Sequence, residues 1–252
     1  MGAAASNNAV RDVGGRMINY DAVARNPELL RAGLRCRHPK SGPELDMVME
    51  YVAEHLPAAE PGERREVLLE PHVFAGYPDA VVLYWDEAAG ARLRTRFDGV
   101  RLFDLQVLSA LSQRRSWTLQ SLCIAYGRQT ERSLERLANA GAIVVADSRV
   151  RTAPLDDILA LRRLIAIEAK MRDWRGGLVQ AIHNTWFAPE SYLLLPTLPQ
   201  HRTPLNEAER FNVGVLDRRT PILKPSAKTP RRMLRQPSVG AWLVNSWAAA
   251  LT

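Results

Sequence analysis

The chain has 252 residues, of which 46% are hydrophobic and 24% are charged, an ordinary balance for a globular protein of one large or two small domains. Its net charge of +7 favours an anionic partner, most commonly nucleic acid. The two cysteines are far apart in the sequence, which argues against a disulfide scaffold, and the five histidines are scattered, which argues against a zinc site. The chain has no apolar run of roughly 20 residues, the length that a membrane span needs. We therefore expect a cytoplasmic protein.

The N-terminal segment, residues 1–40, is irregular apart from a short helical stretch around residues 27–32. A longer helix is predicted to begin near Ser41, which is a candidate N-cap, with Glu44 in the first turn. Apolar side chains then recur at three- and four-residue spacing and predict one buried helix face. They are Leu45, Val48, Met49, Val52 and Leu56.

Extended segments come next in the chain. Residues 67–74 and 80–85 are rich in apolar and β-branched side chains, which predicts two strands joined by a turn. In residues 91–102, apolar side chains and threonine alternate with arginine. This alternation predicts a further strand or hairpin arm.

Residues 103–151 have the pattern of a winged helix-turn-helix: three short helices, then two extended runs on either side of Asp147-Ser148, a two-residue hairpin signal. Glu131 and Glu135 would repel a nucleic-acid backbone, and winged helices also bind proteins, so both kinds of partner stay open. The third helix carries the candidate nucleic-acid contacts. They are Arg128, Gln129, Arg132 and Arg136.

Strand patterns return after residue 152. The predicted elements are a strand at 164–170, a helix at 174–187, a strand at 192–195, a short helix at 206–211 and a strand at 213–216. Residues 218–237 are rich in proline and basic side chains, including Arg231 and Arg232, and form either an arm that follows phosphates or a solvated tail. A final apolar helix at 239–251 contains Trp242 and Trp247.

The strongest chemical signal lies in Ile165-Ala166-Ile167-Glu168-Ala169-Lys170. On a strand, Glu168 and Lys170 project from one face, while Ile165 and Ile167 enter the core. An acid and a lysine on a buried strand must be paired or must bind something. Pro78-Asp79 places a second carboxylate at the start of another apolar strand.

These two elements resemble the PD and ExK motifs of the PD-(D/E)xK nuclease superfamily. Gln180, ten residues after Lys170, lies where many relatives carry a glutamine, and Glu44 matches the acid of the first helix, with Glu50 and Glu54 as alternatives. The resemblance implies an α/β fold with a restriction-endonuclease-like mixed sheet flanked by helices. The implied divisions are an N-terminal segment at 1–40, a nuclease core at 41–102 and 152–217, an inserted winged module at 103–151, and a tail at 218–252.

The resemblance also implies a Mg²⁺-dependent enzyme that hydrolyses DNA phosphodiester bonds, with Mn²⁺ able to substitute. Asp79, Glu168 and the main-chain carbonyl of Ala169 would bind the metal. Lys170 would orient the attacking water or stabilise the transition state. Gln180 would position the water, the lysine or the DNA, and Glu44 would hold a second metal or assist the base. Arg172 and Arg175 are candidate phosphate contacts.

Two other functions stay open at this point. The chain can be a non-catalytic DNA-binding regulator built on a nuclease-like scaffold. It can also be an interaction protein that docks through the Trp242–Trp247 helix. A homodimer that cuts two strands is common for this fold, and RNA is an alternative substrate to DNA.

Overall fold

The computed structural model describes residues 16–74, 76–113, 117–219 and 234–252. The helix predicted around residues 27–32 is confirmed, and so is the one that carries Glu44. Gly42, not Ser41, occupies the N-cap of that second helix, and no side chain in the described ranges caps it, so the predicted cap is wrong. The first elements are β1 (Arg16–Ile18), α1 (Tyr20–Ala24), α2 (Pro27–Arg31), α3 (Pro43–Glu54), β2 (Glu63–Leu69) and β3 (Ala80–Asp86).

The rest of the described chain alternates helices with short strands. No helix in these ranges is both long and apolar enough to cross a membrane. The elements are α4 (Glu87–Arg96), α5 (Leu102–Gln113), β4 (Trp117–Thr118), α6 (Leu119–Tyr126), α7 (Thr130–Asn139), β5 (Ile143–Ala146), β6 (Arg149–Thr152), α8 (Leu155–Ile158), β7 (Leu161–Ala169), α9 (Trp174–Asn184), β8 (Glu190–Leu195), α10 (Arg202–Arg210), β9 (Val213–Asp217) and α11 (Val239–Ala250).

Six of the described strands form one mixed sheet in the order β1-β2-β3-β7-β8-β9. Strand β3 pairs antiparallel with both β2 and β7, whereas β7, β8 and β9 run parallel to one another. Helices pack on both faces of this sheet. The predicted α/β class is therefore confirmed.

The central strands are buried on both faces because their side chains alternate between two hydrophobic cores. On one face, Ile165 and Ile167 of β7 pack in a core with Met47 and Tyr51 of α3. On the other face, Leu164 and Ala166 belong to a larger core that includes side chains of α4, α5 and α11. Burial on both faces explains why β3 is a continuous apolar run rather than an alternating one.

The chain leaves the sheet after β3 and returns to it at a neighbouring point. The backbone N–H of Asp86 donates to the carbonyl of Ala160 at 3.0 Å, so the excursion from α4 to α8 begins and ends at the same place. It contains α5, α6 and α7 and a small sheet of order β4-β6-β5. Asp147 and Ser148 have φ values of 50° and 59°, the backbone that a two-residue hairpin turn requires. The predicted helices and hairpin of this block are confirmed.

Two predicted strands are wrong, one of them entirely. Residues 91–102 do not form a strand: helix α4 covers Glu87–Arg96, and the side chain of Asp86 caps it by accepting from the N–H of Ala89 at 2.7 Å. Leu93 and Phe97 are four residues apart, which places them on one buried helix face and also satisfies a strand alternation. The strand predicted at 67–74 runs instead over Glu63–Leu69.

Helix α11 packs within this chain. Trp242 and Trp247 are both 0% exposed, which contradicts the expectation that they dock a partner protein. The amide of Asn245 accepts from the N–H of Ala160 at 2.8 Å and donates to the carbonyl of Ile158 at 3.1 Å, so it fixes α11 to the start of β7. Most of the basic tail, with Arg231 and Arg232, lies outside the described residues.

Candidate active site

Carboxylates from three adjacent strands meet at one edge of the sheet. The pairing registers of β2 with β3 and of β3 with β7 place Glu70, Asp79 and Glu168 side by side, just beyond or within the strand ends. The N–H of Glu70 donates to the carbonyl of Asp79 at 3.2 Å. Lys170 follows on the same face as Glu168, and its Nζ lies 3.9 Å from Oδ2 of Asp79. The structure therefore brings together the predicted Asp79, Glu168 and Lys170.

Asp79 is held in place from the neighbouring strand. Its Oδ2 accepts a hydrogen bond from the backbone N–H of Ala169 at 2.7 Å. Burial raises the pKa of Asp79, and the hydrogen bond from Ala169 and the charge of Lys170 oppose that shift. The side chain is thus fixed beside Glu168 in a site that resists negative charge.

Glu168 is 2% exposed and only partly hydrogen-bonded. Its Oε1 accepts from the Nδ2 of Asn184 at 2.9 Å. Its Oε2 is buried and accepts no hydrogen bond from a donor group of the described residues, but the carboxyl groups of Glu168 and Asp79 are close enough to share a proton. Burial, followed by the charge of Asp79, raises the pKa of Glu168 to about 8. At neutral pH this carboxyl keeps a proton unless a cation replaces it.

Glu70 was missed by the sequence analysis. It is buried, has a left-handed backbone with φ of 50°, and pairs with Arg37, whose Nε lies 2.5 Å from Oε2. Burial raises the pKa of Glu70, and Arg37 opposes the shift. Strained non-glycine backbone often occurs at functional sites. The sequence offered one weak signal, the proline of Glu70-Pro71 within the predicted strand at 67–74.

Glu44 reaches the site from the first turn of α3. Its Oε1 accepts from the backbone N–H of Met171 at 3.0 Å, which ties α3 to the chain just after Lys170. The two alternatives lie elsewhere on the helix: Glu50 pairs with Arg218 at 3.4 Å, and Glu54 is 3.8 Å from the ring of His55. Glu44 is therefore the acid of α3 that contacts the site.

Helix α9 brings to Glu168 an amide that was not predicted, while the role predicted for Gln180 stays untested. Gln180 is exposed on α9, whereas Asn184, one turn later, is buried and contacts Glu168. A Cβ at Gly177 would lie 2.5 Å from the side chain of Lys170, so this glycine allows the helix to approach the lysine closely. The helix was predicted from its sequence pattern, but Asn184 was not among the predicted site residues.

We expect Asn184→Ala to lower activity at this site about 10- to 100-fold, because it removes the hydrogen bond that orients Glu168. Since that bond also lowers the pKa of Glu168, the pH at which activity appears should move upward. The measurement is a pH–rate profile beside Gln180→Ala, the exposed amide of the same helix. A larger loss in Gln180→Ala would instead support the role predicted for Gln180.

The predicted nucleic-acid contacts on α7 divide into two kinds. Arg128, Gln129 and Arg132 are exposed. Arg136 instead donates from Nε and Nη2 to the buried carboxylate of Asp104, at 2.8 and 2.7 Å. This internal ion pair gives Arg136 a structural role, and its contact with nucleic acid stays an untested prediction.

Two more predicted contacts follow Lys170 directly. Arg172 and Arg175 are exposed in the turn into α9 and at its start, and the guanidinium of Arg175 lies 5.0 Å from the ring centre of Trp174. They add positive charge next to the acidic site. That position suits contact with a phosphate backbone.

The donor set fits a metal that needs few protein ligands. Within the described ranges, no group of three or more His, Cys, Asp or Glu side chains is arranged to hold a metal ion. Hydrated Mg²⁺ commonly takes one or two carboxylates and completes its shell with water and substrate phosphate. Asp79 and Glu168 provide such a pair, and the buried Oε2 of Glu168 is an oxygen that a cation would satisfy.

Comparison with known proteins found no protein-family model that matches the chain, and no curated protein or solved structure with a significant match. The functional proposal for this chain therefore depends on the geometry of Asp79, Glu168 and Lys170.

Proposed function

We propose that the chain is a metal-dependent nuclease of the PD-(D/E)xK type that hydrolyses DNA phosphodiester bonds. The observation that carries the proposal is the buried pair of carboxyl groups of Glu168 and Asp79, which interact directly with each other beside the ammonium group of Lys170. A cation bound here would take the place of the proton that this buried carboxyl otherwise keeps at neutral pH. The sheet, with Asp79 and Glu168 on adjacent antiparallel strands, also fits a restriction-endonuclease-like core.

Asp79 and Glu168 would hold a hydrated Mg²⁺, or Mn²⁺ in its place, and the family resemblance adds the main-chain carbonyl of Ala169 as a further ligand. The bound cation would supply a water of lowered pKa and neutralise charge on the scissile phosphate.

The surrounding residues fix the two carboxylates. Asn184 holds Oε1 of Glu168 and leaves Oε2 for the cation, while the N–H of Ala169 holds Oδ2 of Asp79. Lys170 places an ammonium group within 3.9 Å of that same oxygen, where it can stabilise negative charge on a phosphoryl oxygen. Glu44 restrains the backbone after Lys170 through Met171.

The block of α5, α6, α7 and the β4-β6-β5 sheet is proposed to be a winged helix-turn-helix that engages the substrate. Its helix order and its hairpin support this assignment. Arg128 and Gln129 just before α7 and Arg132 in its first turn are exposed and suited to groove or phosphate contact. The block would then help to select DNA for the catalytic site.

The test is a cleavage assay on supercoiled, linear, single-stranded and branched DNA with Mg²⁺, Mn²⁺ or EDTA. We expect cleavage by the wild type that requires metal, and losses on the order of 10²- to 10³-fold in Asp79→Asn and Lys170→Ala. Asp156→Asn, which changes an exposed aspartate of α8, is the matched control.

Each alternative predicts a different result in that assay. Metal-independent DNA binding without cutting would favour the non-catalytic regulator. Cleavage of RNA alone would show that the substrate is RNA and not DNA, and would leave the proposed catalytic site unchanged. Cutting that survives in Asp79→Asn and Lys170→Ala would place the catalytic residues elsewhere and contradict the proposed site.

A further inference from the structure

The loop between β2 and β3, residues 71–78, is joined directly to the candidate active site. Glu70 precedes the loop, Asp79 follows it, and a backbone hydrogen bond of 3.2 Å between these two residues closes its base. The two ends of this loop are therefore anchored beside Asp79. We call its described residues, 71–74 and 76–78, the aromatic loop.

The aromatic loop displays rings at its surface. Phe74 is 52% exposed and Tyr77 is 38% exposed. The rings of His72 and Tyr77 have centroids 4.9 Å apart, and the guanidinium of Arg37 lies 5.1 Å from the centre of the Tyr77 ring. Arg37 also pairs with Glu70, so it links the aromatic loop to the carboxylates of the site.

A cavity of about 760 Å³ adjoins the aromatic loop. This volume lies in the range of pockets that hold small organic ligands. The lining combines His72 and Phe74 of the aromatic loop with apolar, basic and acidic side chains of the helices behind it, and two of these, Arg94 and Glu28, form an ion pair. The other lining residues that matter here are Arg31, Leu102 and Leu243.

We infer that the aromatic loop and its cavity bind unpaired nucleotides of the substrate next to the scissile phosphate. Exposed rings beside arginine are a surface on which unpaired bases stack, and Arg31 in the cavity lining can complement phosphate charge. In a duplex the faces of the bases are already stacked on one another, so they cannot stack on Phe74 or Tyr77. The substrate is then single-stranded or has an unpaired segment. This inference rests on the proposed function in one respect: it takes the bound nucleic acid to be the substrate of the nuclease.

The test is binding measured in EDTA, where no cleavage occurs. Fluorescence anisotropy would compare a labelled single-stranded DNA, the same sequence as RNA, and a blunt duplex. We expect the wild type to bind a single strand more tightly than the duplex. Tyr77→Ala and Phe74→Ala should each weaken that binding about tenfold, because base stacking on a ring is lost. Tyr77→Phe keeps the ring and should keep the affinity.

Phe211→Ala is the matched control. Phe211 is 49% exposed, similar to Phe74, but lies between α10 and β9 at the opposite edge of the sheet from β2. Thermal unfolding of each variant verifies that it is folded. The ribonucleotide and deoxyribonucleotide probes identify which polymer provides the unpaired bases.

The outcomes separate this inference from the proposed function. Equal affinity for duplex and single strand, no binding of either single strand, or equal losses in Phe211→Ala and Tyr77→Ala would overturn the inference. Ring-dependent binding of a single strand would support it even if Mg²⁺ produced no cleavage. Binding of this kind without cleavage would contradict the proposed nuclease activity but not the inference about unpaired nucleotides.

Discussion

A Glu168→Gln variant is expected to lose cleavage on the order of 10³-fold and, at the same time, to become more stable than the wild type at alkaline pH. The loss of activity follows from removing a carboxylate that the proposal assigns to the metal. The gain in stability follows from the burial of that carboxylate beside Asp79. A residue kept only for packing would not produce both effects.

The pH dependence has a definite direction. Glu168 has a pKa of about 8 in the folded chain, compared with its ordinary value of 4.5. Between these two pH values the folded protein keeps a proton that the unfolded chain has released. The free energy of unfolding of the wild type should therefore fall with rising pH, by at most about 1.4 kcal/mol for each pH unit. Glutamine carries no such proton and can still accept from Asn184.

Urea denaturation in EDTA at pH 5, 7 and 9 measures this effect. We expect similar stabilities at pH 5 and a growing advantage of Glu168→Gln above it. Glu190→Gln is the control, because it makes the same change at another buried glutamate. Both oxygens of Glu190 accept from Arg163 at 2.6 Å, so removing its charge should destabilise the protein. Destabilisation of Glu168→Gln at pH 9 would show that Glu168 is charged and paired in the metal-free protein.

The core of the site could be predicted from the sequence because it depends on local rules. Two residues apart on a strand share a face, which places Glu168 with Lys170 on either side of Ala169. Glu70 could not be found in this way, since its position beside Asp79 depends on the pairing register of β2 with β3. The contact of Asn184 with Glu168, 16 residues earlier in the chain, depends on which face of α9 packs against β7. The spacing of residues in a single sequence does not determine that face.

The fold was predictable where periodicity was unambiguous. Strand β3 and the block from α5 to β6 followed the sequence pattern. Helix α4 did not, because Leu93 and Phe97 fit a strand and a helix equally well and the cap at Asp86 decides between them. The packing of α11 could not be predicted either, since an apolar helix with two tryptophans is equally compatible with a hydrophobic core and with an interface to a partner.

Arg136→Gln is expected to destabilise the whole chain by about 3–5 kcal/mol, because it leaves a buried negative charge at Asp104. Asp104 is fully buried and also accepts from the N–H of Arg101 at 2.8 Å. Burial acts to raise the pKa of Asp104, but the hydrogen bonds from Arg136 and Arg101 hold it below its ordinary value. The contribution of the Arg136–Asp104 pair to the free energy of unfolding should therefore be present at neutral pH and disappear in acid as Asp104 becomes protonated.

Two further variants show whether Arg136 serves the fold or the substrate. Arg162→Gln removes a half-exposed partner of Asp86, 3.1 Å away, and should cost less than about 1 kcal/mol. Arg132→Gln changes an exposed arginine on the same helix and should weaken DNA binding while leaving stability unchanged. Because Leu137 and Val150 share one core with Leu83 and Trp85 of the sheet, Arg136→Gln should unfold in one cooperative transition. Separate melting of residues 103–151 would instead show that the block is an independent module.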